Sequence, residues 1–476
     1  MDLWNIIILL YFIIYVPVII LVILLENKDP ASTILWLLVV ICLPIIGLIF
    51  YFYGGKRYST VKIRLKMFKK KYRQKREKLI FEQQRLLKNN FYNKNDQVAG
   101  ILNTALHGGF PYSTNNKTNI LIDGKDTFYE IIKELKKAKH HIHIEMHILK
   151  FESEIGKEIK QVLIDKAKDG VKIRIVYDGI VTQIKNKDKK DLKKAKIEIK
   201  ALYPWHVSLL KSRINHRTHR KIIIIDGNIG FTGGINVGDE YIHGRPELGK
   251  WHDVHLKIEG NAVYTIQTIF LSTWFFLTKQ LITGKEYFPQ QKIIGNELVS
   301  VVASGPDYKI PNIHFAYFNI ITSAKNYLYI MVPYFTPDKA ILTALIAAAM
   351  KGIDVRVILP RTGDTLFVWP AARTNFGKLL KAGIKIYYYN GFTHGKVLLT
   401  RNIISIGSCN IEPRGFFNDF EMNAMIFNNP EKEKQMKELF ERDFKNSKEV
   451  ILTEFKKRPL MMKLKESLCR LFYPFL

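Results

Sequence analysis

The chain has 476 residues, 47% of them hydrophobic and 12% aromatic, which excludes a mainly disordered protein and leaves room for two or three domains. A formal net charge of +30 calls for an anionic partner such as lipid headgroups, nucleic acid or an acidic substrate. The three cysteines, Cys42, Cys409 and Cys469, lie too far apart for a zinc-ligand spacing or a disulfide framework.

Residues 4–25 form an apolar run of about 22 residues, roughly 33 Å as a helix and long enough to cross a hydrocarbon core. A short polar turn leads to a second apolar run over 34–53. With no basic segment before the first run and no small-residue cleavage site after it, a cleaved signal peptide fits poorly. The expectation is a two-helix transmembrane hairpin over residues 1–55. Between Lys56 and Lys78 twelve Lys or Arg accompany a single acid, Glu77, giving a basic juxtamembrane helix or linker over 56–95. By the positive-inside rule this places the large C-terminal body on the cytoplasmic side of the inner (plasma) membrane. The same charges also suit a solvated helix over 62–88, or attraction to anionic lipid.

Beyond residue 95 helical and β-branched segments alternate. The pattern predicts a helix at 128–139, a strand at 141–148, a helix at 155–168 and a strand at 171–177. It returns with a strand at 327–332, a helix at 340–350 and a strand at 353–359. Asp-Gly-Val-Lys-Ile-Arg-Ile from 169 matches Lys-Gly-Ile-Asp-Val-Arg-Val from 351, a shift of 182. This is an internal duplication of roughly 180 residues. It divides the body at 96–290 and 291–476, with the boundary near the Gly-, Pro- and Gln-containing stretch 282–296. Such alternation predicts a mixed, largely parallel sheet covered by helices.

The duplication carries the chemistry. His219-Arg220-Lys221 precedes four isoleucines and Asp226, and His394-Gly395-Lys396 follows 175 residues after it. Each copy ends in a small-residue turn closing on asparagine, Gly233-Gly234-Ile235-Asn236 and Gly407-Ser408-Cys409-Asn410. On a strand His219 and Lys221 share one face and Arg220 points away. Asp226, seven positions on, has the opposite parity and enters a turn, so the spacing alone gives it a structural part. One imidazole can attack phosphorus to form a phosphohistidine while a second protonates the leaving oxygen. Lys221, Lys396, Asn236 and Asn410 can neutralise the phosphate oxygens. Asp253, 34 residues after His219, and Glu421, 27 after His394, are candidates to orient those histidines. No metal or other cofactor is called for. His140, His141, His143 and His147 read as sheet-face or solvated histidines. Arg373 reads either as a headgroup contact or as a surface charge. The stretch 461–476 reads either as an interfacial helix or as a final packing helix.

With its twin His-x-Lys motifs the chain resembles the phospholipase D superfamily and, within it, the bacterial cardiolipin synthases. The likeness spans nearly the whole chain. It includes residues 26–33, Tyr177-Asp178-Gly179, the Phe231-Thr232-Gly233-Gly234-Ile235-Asn236-Val237-Gly238-Asp239-Glu240-Tyr241 string, Val302-Ala303-Ser304-Gly305-Pro306-Asp307 and Pro333-Tyr334-Phe335-Thr336-Pro337-Asp338. It implies two duplicated α/β/α sandwich domains with one active site at their interface. It also implies His219, Lys221, Asp226, His394 and Lys396 as catalytic motif residues. The implied reaction is phosphatidyl transfer between two phosphatidylglycerol molecules, giving cardiolipin and glycerol. Phosphatidylglycerol and anionic membrane lipid are then the expected partners, and nucleic acid is not. Arg401 stands where the pattern has an aspartate, and the second turn is one residue shorter, which tilts the nucleophile toward His219 with His394 as acid and base. Hydrolysis by a membrane-anchored phospholipase D or nuclease, and a lipid-binding pseudoenzyme, are the alternative readings.

Overall fold

The computed structural model describes residues 13, 16–25, 30–51, 78–87, 97–205, 216–364 and 367–471. Contacts divide the chain into two compact units, 1–59 with 205–215, and 60–204 with 216–476.

In the first unit the described helices are Val16–Leu25, Pro30–Cys42 and Pro44–Phe50. Ile23, Trp36, Val40 and Tyr51 form its small core, with Trp36 and Tyr51 edge to face at 5.5 Å. Leu24, Ile34, Leu35, Leu38 and Ile41 stay exposed, so these helices turn apolar side chains outward. Among the described residues no helix is long and apolar enough to cross a membrane. Much of the first apolar run, the turn at 26–29 and the basic stretch 56–77 lie outside the described residues.

The second unit holds two sheets of matching order. The first contains β1 (Asn116–Ile122), β2 (His141–Met146), β3 (Lys172–Asp178), β4 (Glu198–Leu202), β5 (Ile222–Ile225), β6 (Ile229–Gly233) and β7 (Val254–Gly260). The second contains β8 (Leu298–Ser304), β9 (Tyr327–Met331), β10 (Asp354–Pro360), β11 (Lys385–Tyr389), β12 (Val397–Thr400), β13 (Ile403–Gly407) and β14 (Glu421–Phe427). Their spatial orders are β1-β7-β6-β5-β2-β3-β4 and β8-β14-β13-β12-β9-β10-β11, the same path shifted by seven strands. Tyr112–Ser113 and Ser447–Glu449 extend the two edges of the second sheet.

The expectation of a largely parallel sheet is corrected. Only β2-β3-β4 and β9-β10-β11 pair in parallel. The remaining neighbours within each seven-strand set are antiparallel. β5 already runs antiparallel to β2, and the three-residue turn from β5 to β6 permits only a further antiparallel pair. Crossover helices remain where strands run parallel, as with Glu154–Lys168 between β2 and β3.

Strand alternation builds two faces. Ile142, Ile144 and Met146 pack with Phe128, Ile131 and Leu135 of the helix Asp123–Lys137 and with Ile155 and Ile159. On the other face His143 stacks on Phe270 of the helix Val263–Thr278 at 4.4 Å, and Gln267 lies 3.2 Å from it. His141 and His143 are therefore buried sheet-face residues. Among the described residues no cluster of His, Cys, Asp or Glu could hold a metal ion.

Short strands tie the two halves together. Phe392–Thr393 runs parallel to Trp251–His252, and Thr218 bridges Phe420 in parallel. Arg220, fully buried, donates to the Glu421 and Ser304 carbonyls and to Thr273. His252 is gripped from both sides, Nδ1 2.6 Å from Asp123 and Nε2 2.9 Å from Asp443, one carboxylate from each half. Burial alone would lower this imidazole, but the two hydrogen bonds carry it up to about 9. With the folded value above the unfolded one, the stabilisation is complete below about pH 6.5 and lost as pH rises through about 9. His252→Gln is expected to cost about 3 kcal/mol at mildly acidic pH and far less near pH 10. Unfolding curves of both proteins across that range check this, and a pH-independent difference would contradict it.

Candidate active site

The segment 217–219 enters β5 beside residues 419–421, with His219 N donating to the Phe420 carbonyl at 2.9 Å and Phe420 N to the Arg217 carbonyl at 2.8 Å. The segment 392–394 enters β12 beside 251–253, with His394 N donating to the His252 carbonyl. Each histidine is thus delivered next to a carboxylate of the opposite half. His219 Nδ1 lies 2.8 Å from Glu421 Oε1, and His394 Nδ1 lies 2.7 Å from Asp253 Oδ2. The sequence order suggested the reverse, Asp253 for His219 and Glu421 for His394. That pairing is corrected, because the parallel strand exchange crosses each carboxylate to the other half.

Lys221 and Lys396 are buried in the same site, their ammonium groups donating to the carbonyls of His219 and His394 at 2.7 and 2.6 Å. Lys396 Nζ also sits 3.0 Å from both ring nitrogens of His394. Burial, then repulsion from Lys396, lowers Lys221 to about 7, and burial lowers Lys396 to about 8. Burial and the neighbouring lysines push His219 well below its ordinary value and His394 to about 4. Lys396 acts on His219, and Lys221 on His394, so the two motifs share one electrostatic field. Burial drives Glu421 up, whereas at Asp253 the bond from His394 overcomes burial and holds the carboxyl down. A buried site this crowded with cationic groups is built for an anion.

The surroundings of the two rings differ. Ser408 Oγ donates to the second oxygen of Glu421. Its counterpart Gly234 has no room for a side chain, since a Cβ there would meet Asp253 Oδ1 at 2.1 Å. His394 lies among Tyr241, Trp251 and Phe392, with ring centroids 5.7, 5.7 and 6.1 Å away. His219 instead meets His147 edge-on at 4.8 Å, and His147 Nδ1 is 2.7 Å from the Thr218 carbonyl. His147 stands at the end of β2 beside the site, whereas the sequence grouped it with the sheet-face histidines. Its position past the C-terminal end of a parallel strand was the available signal. Glu412, raised to about 7 by burial, is a further neighbour the sequence did not single out.

The asparagines bond to protein groups. Asn236 accepts from Ile148 N at 3.1 Å and donates to the Tyr241 hydroxyl at 2.6 Å, and Asn410 donates to Glu412 at 2.9 Å. Asp226 lies at the far end of β5, roughly 20 Å along the chain from His219. Its carboxylate accepts the amides of Lys139, His140 and His141 at 2.8, 2.7 and 2.9 Å. Arg401 occupies the equivalent turn of the second half. There Thr400 and Ile403 pair directly around Arg401-Asn402, a two-residue loop in place of the three residues between Ile225 and Ile229. Asn402 takes the left-handed φ of 72° that so tight a turn demands. The missing residue is thus absorbed in the turn at the far end of β12 from His394.

Asp226→Ala should cost roughly 2–4 kcal/mol of stability through three lost charge-assisted bonds, while turnover per folded molecule stays within about twofold of wild type. Thermal unfolding beside active-site titration checks this, and a large loss of turnover in folded protein would refute it. Tungstate, a phosphate mimic, should bind about tenfold more weakly near pH 9 than near pH 6.5, because Lys221 and Lys396 lose charge over that interval. Calorimetric titration at both pH values tests the sign.

The sequence profile of the family described as "Cardiolipin synthase, PLD-like domain" matches residues 131–274 and 317–444, one segment in each half. That described as "Phospholipase_D-nuclease N-terminal" matches residues 8–56. A cardiolipin synthase of Geobacillus kaustophilus is 38% identical over 95% of this chain and 90% of its own length. Cardiolipin synthase 2 of Bacillus anthracis is 37% identical over 95% and 88%. Among solved structures, the phosphatidylserine synthase of Haemophilus influenzae is similar in fold, with a TM-score of 0.59 at 14% identity. It covers 77% of this chain and 97% of its own.

Proposed function

The chain belongs to the cardiolipin synthase family of phospholipase D-like proteins, and on that premise we propose how its site transfers a phosphatidyl group between two phosphatidylglycerol molecules. The observation that carries the reading is the pair of buried imidazoles, each held at Nδ1 by the other half's carboxylate and flanked by Lys221 and Lys396. With Nδ1 taken, Nε2 is the ring atom left for phosphorus chemistry.

His219 is the nucleophile in this scheme. Ser408 holds Glu421 behind His219, a support that Asp253 behind His394 lacks at Gly234, so the His219 ring is the more firmly oriented for attack. His219 Nε2 forms a bond to phosphorus, and the bond from phosphorus to the glycerol oxygen breaks. That oxygen takes a proton from His394 and leaves as glycerol. His394 titrates at about 4 before substrate binds, with burial first and Lys396 second as the causes. A bound phosphodiester offsets the lysine repulsion, so substrate binding itself favours the protonated acid. In the second step neutral His394 removes the proton from a hydroxyl of a second phosphatidylglycerol. That oxygen attacks phosphorus, the phosphorus–nitrogen bond breaks, and cardiolipin leaves with His219 restored. Lys221 and Lys396 balance the equatorial charge throughout. Asn236 and Asn410 each spend one Nδ2 hydrogen on Tyr241 and Glu412, which leaves the second for a phosphate oxygen.

The outward apolar side chains of the first unit and the basic stretch after it support a hairpin over residues 1–55 in the inner (plasma) membrane, with the body on the cytoplasmic side. Anchoring raises the effective concentration of a substrate confined to the bilayer.

Purified protein incubated with labelled phosphatidylglycerol vesicles should yield cardiolipin and one glycerol per cardiolipin. His219→Ala and His394→Ala should each reduce this by at least about 10³-fold. Phosphatidic acid without cardiolipin would make the enzyme a hydrolase and overturn the transfer reading. Unchanged conversion after either substitution would remove that histidine from the mechanism.

A further inference from the structure

The C-terminal helix Leu460–Leu471 is turned inside out for a helix meeting water. Its buried positions are Glu466 and Cys469. Glu466 is held from the body side by Arg373 at 3.1 Å and Arg458 at 3.2 Å. Leu460, Met461, Leu464, Leu468 and Leu471 are exposed, at 79, 73, 49, 52 and 67%. At 3.6 residues per turn these five occupy one arc of roughly 100° pointing away from the body. Exposed Lys463 and Arg470 flank that arc on one side and Lys465 on the other. An acid facing inward beneath an outward row of leucines is the reverse of the usual burial order.

We propose that this outer face is a docking surface for an anionic lipid bilayer. The apolar arc seats in the acyl boundary, while the flanking lysines and arginine extend to headgroup phosphates. Charge complementarity selects this occupant over a second copy of the chain. A partner surface on a body of net charge +30 would be repelled by the same basic flanks, whereas an anionic bilayer is drawn to them.

Arg373, which grips Glu466, ends the short helix Val368–Arg373. Nine residues earlier Asp364 accepts from the Tyr334 hydroxyl at 2.7 Å and acts electrostatically on Lys396. Arg373 serves as the internal strut of that docking surface.

The test uses the full chain reconstituted in nanodiscs of phosphatidylglycerol with phosphatidylcholine, or of phosphatidylcholine alone. Amide exchange at 460–471 should slow in the anionic discs relative to detergent, less so in neutral discs, and independently of protein concentration. Equal exchange in detergent and anionic discs would overturn the proposal, and so would protection that appears in detergent as protein concentration rises, the mark of self-association. In the double variant Leu464→Asp/Leu468→Asp, KM for vesicle phosphatidylglycerol should rise about tenfold. Turnover of a short-chain, monomerically dispersed phosphatidylglycerol should stay unchanged. Loss of both activities would assign the helix to folding and overturn docking, as would an unchanged vesicle KM. The kinetic arm rests on the proposed lipid reaction. If wild type converts neither substrate that reading fails, while the exchange arm still decides docking.

Discussion

Each imidazole of the site is completed by a carboxylate from the half that does not carry it, and the rest of the architecture serves that crossing. A carboxylate at Nδ1 fixes the plane of the ring and leaves Nε2 as the reactive nitrogen. Because Glu421 serves His219 and Asp253 serves His394, neither half can orient its own histidine. The short parallel strand pairs at 251–252 with 392–393, and at Thr218 with Phe420, set this register within hydrogen-bond tolerance. His252 and Arg220, each the immediate neighbour of a site residue, brace the same seam with buried bonds to both halves. Relative sliding of the halves would therefore strip both rings of their partners at once.

The electrostatic consequence is a site that is costly until an anion binds. Two lysines and two imidazoles are buried with two carboxylates, and burial lowers every cation among them. In the proposed scheme a phosphodiester relieves that cost, raising the affinity of the lysines for protons and priming His394 to act as an acid. The binding energy of the anion is thereby coupled to the protonation state that the first step requires. Asymmetry between the halves sharpens the division of labour. Ser408 secures Glu421 behind His219, while aromatic rings and Lys396 crowd His394.

Much of this was legible in the chain because repetition is. Two His-x-Lys strands followed by glycine turns and asparagine marked the site, and the matching 169 and 351 stretches marked the two halves. The strand parity of Asp226 and the one-residue deficit near Arg401 located the difference between the motifs in a turn. Partner choice was not legible. Spacing along the chain assigns a carboxylate to the nearer preceding histidine, whereas the strand exchange is a property of two folded halves in contact. His147 was hidden for a related reason, since its role depends on which strand end abuts β5 rather than on its own neighbours. The parallel bias of the sheet was overread because crossover helices are conspicuous in a sequence, and the tight turn that reverses β6 is three residues long. The C-terminal stretch could be read as an interfacial or a packing helix, and its inward-facing Glu466 supports the interface proposed for it.

The crossing is tested most directly by nitrogen-15 spectra of ring-labelled histidines in the full chain with Glu421→Gln and with Asp253→Asn. Glu421→Gln should shift the Nδ1 signal and titration of His219 and leave the Nδ1 signal of His394 in place. Asp253→Asn should do the opposite. If Glu421→Gln moves the His394 signal and Asp253→Asn moves that of His219, each half orients its own ring and the crossed arrangement is wrong.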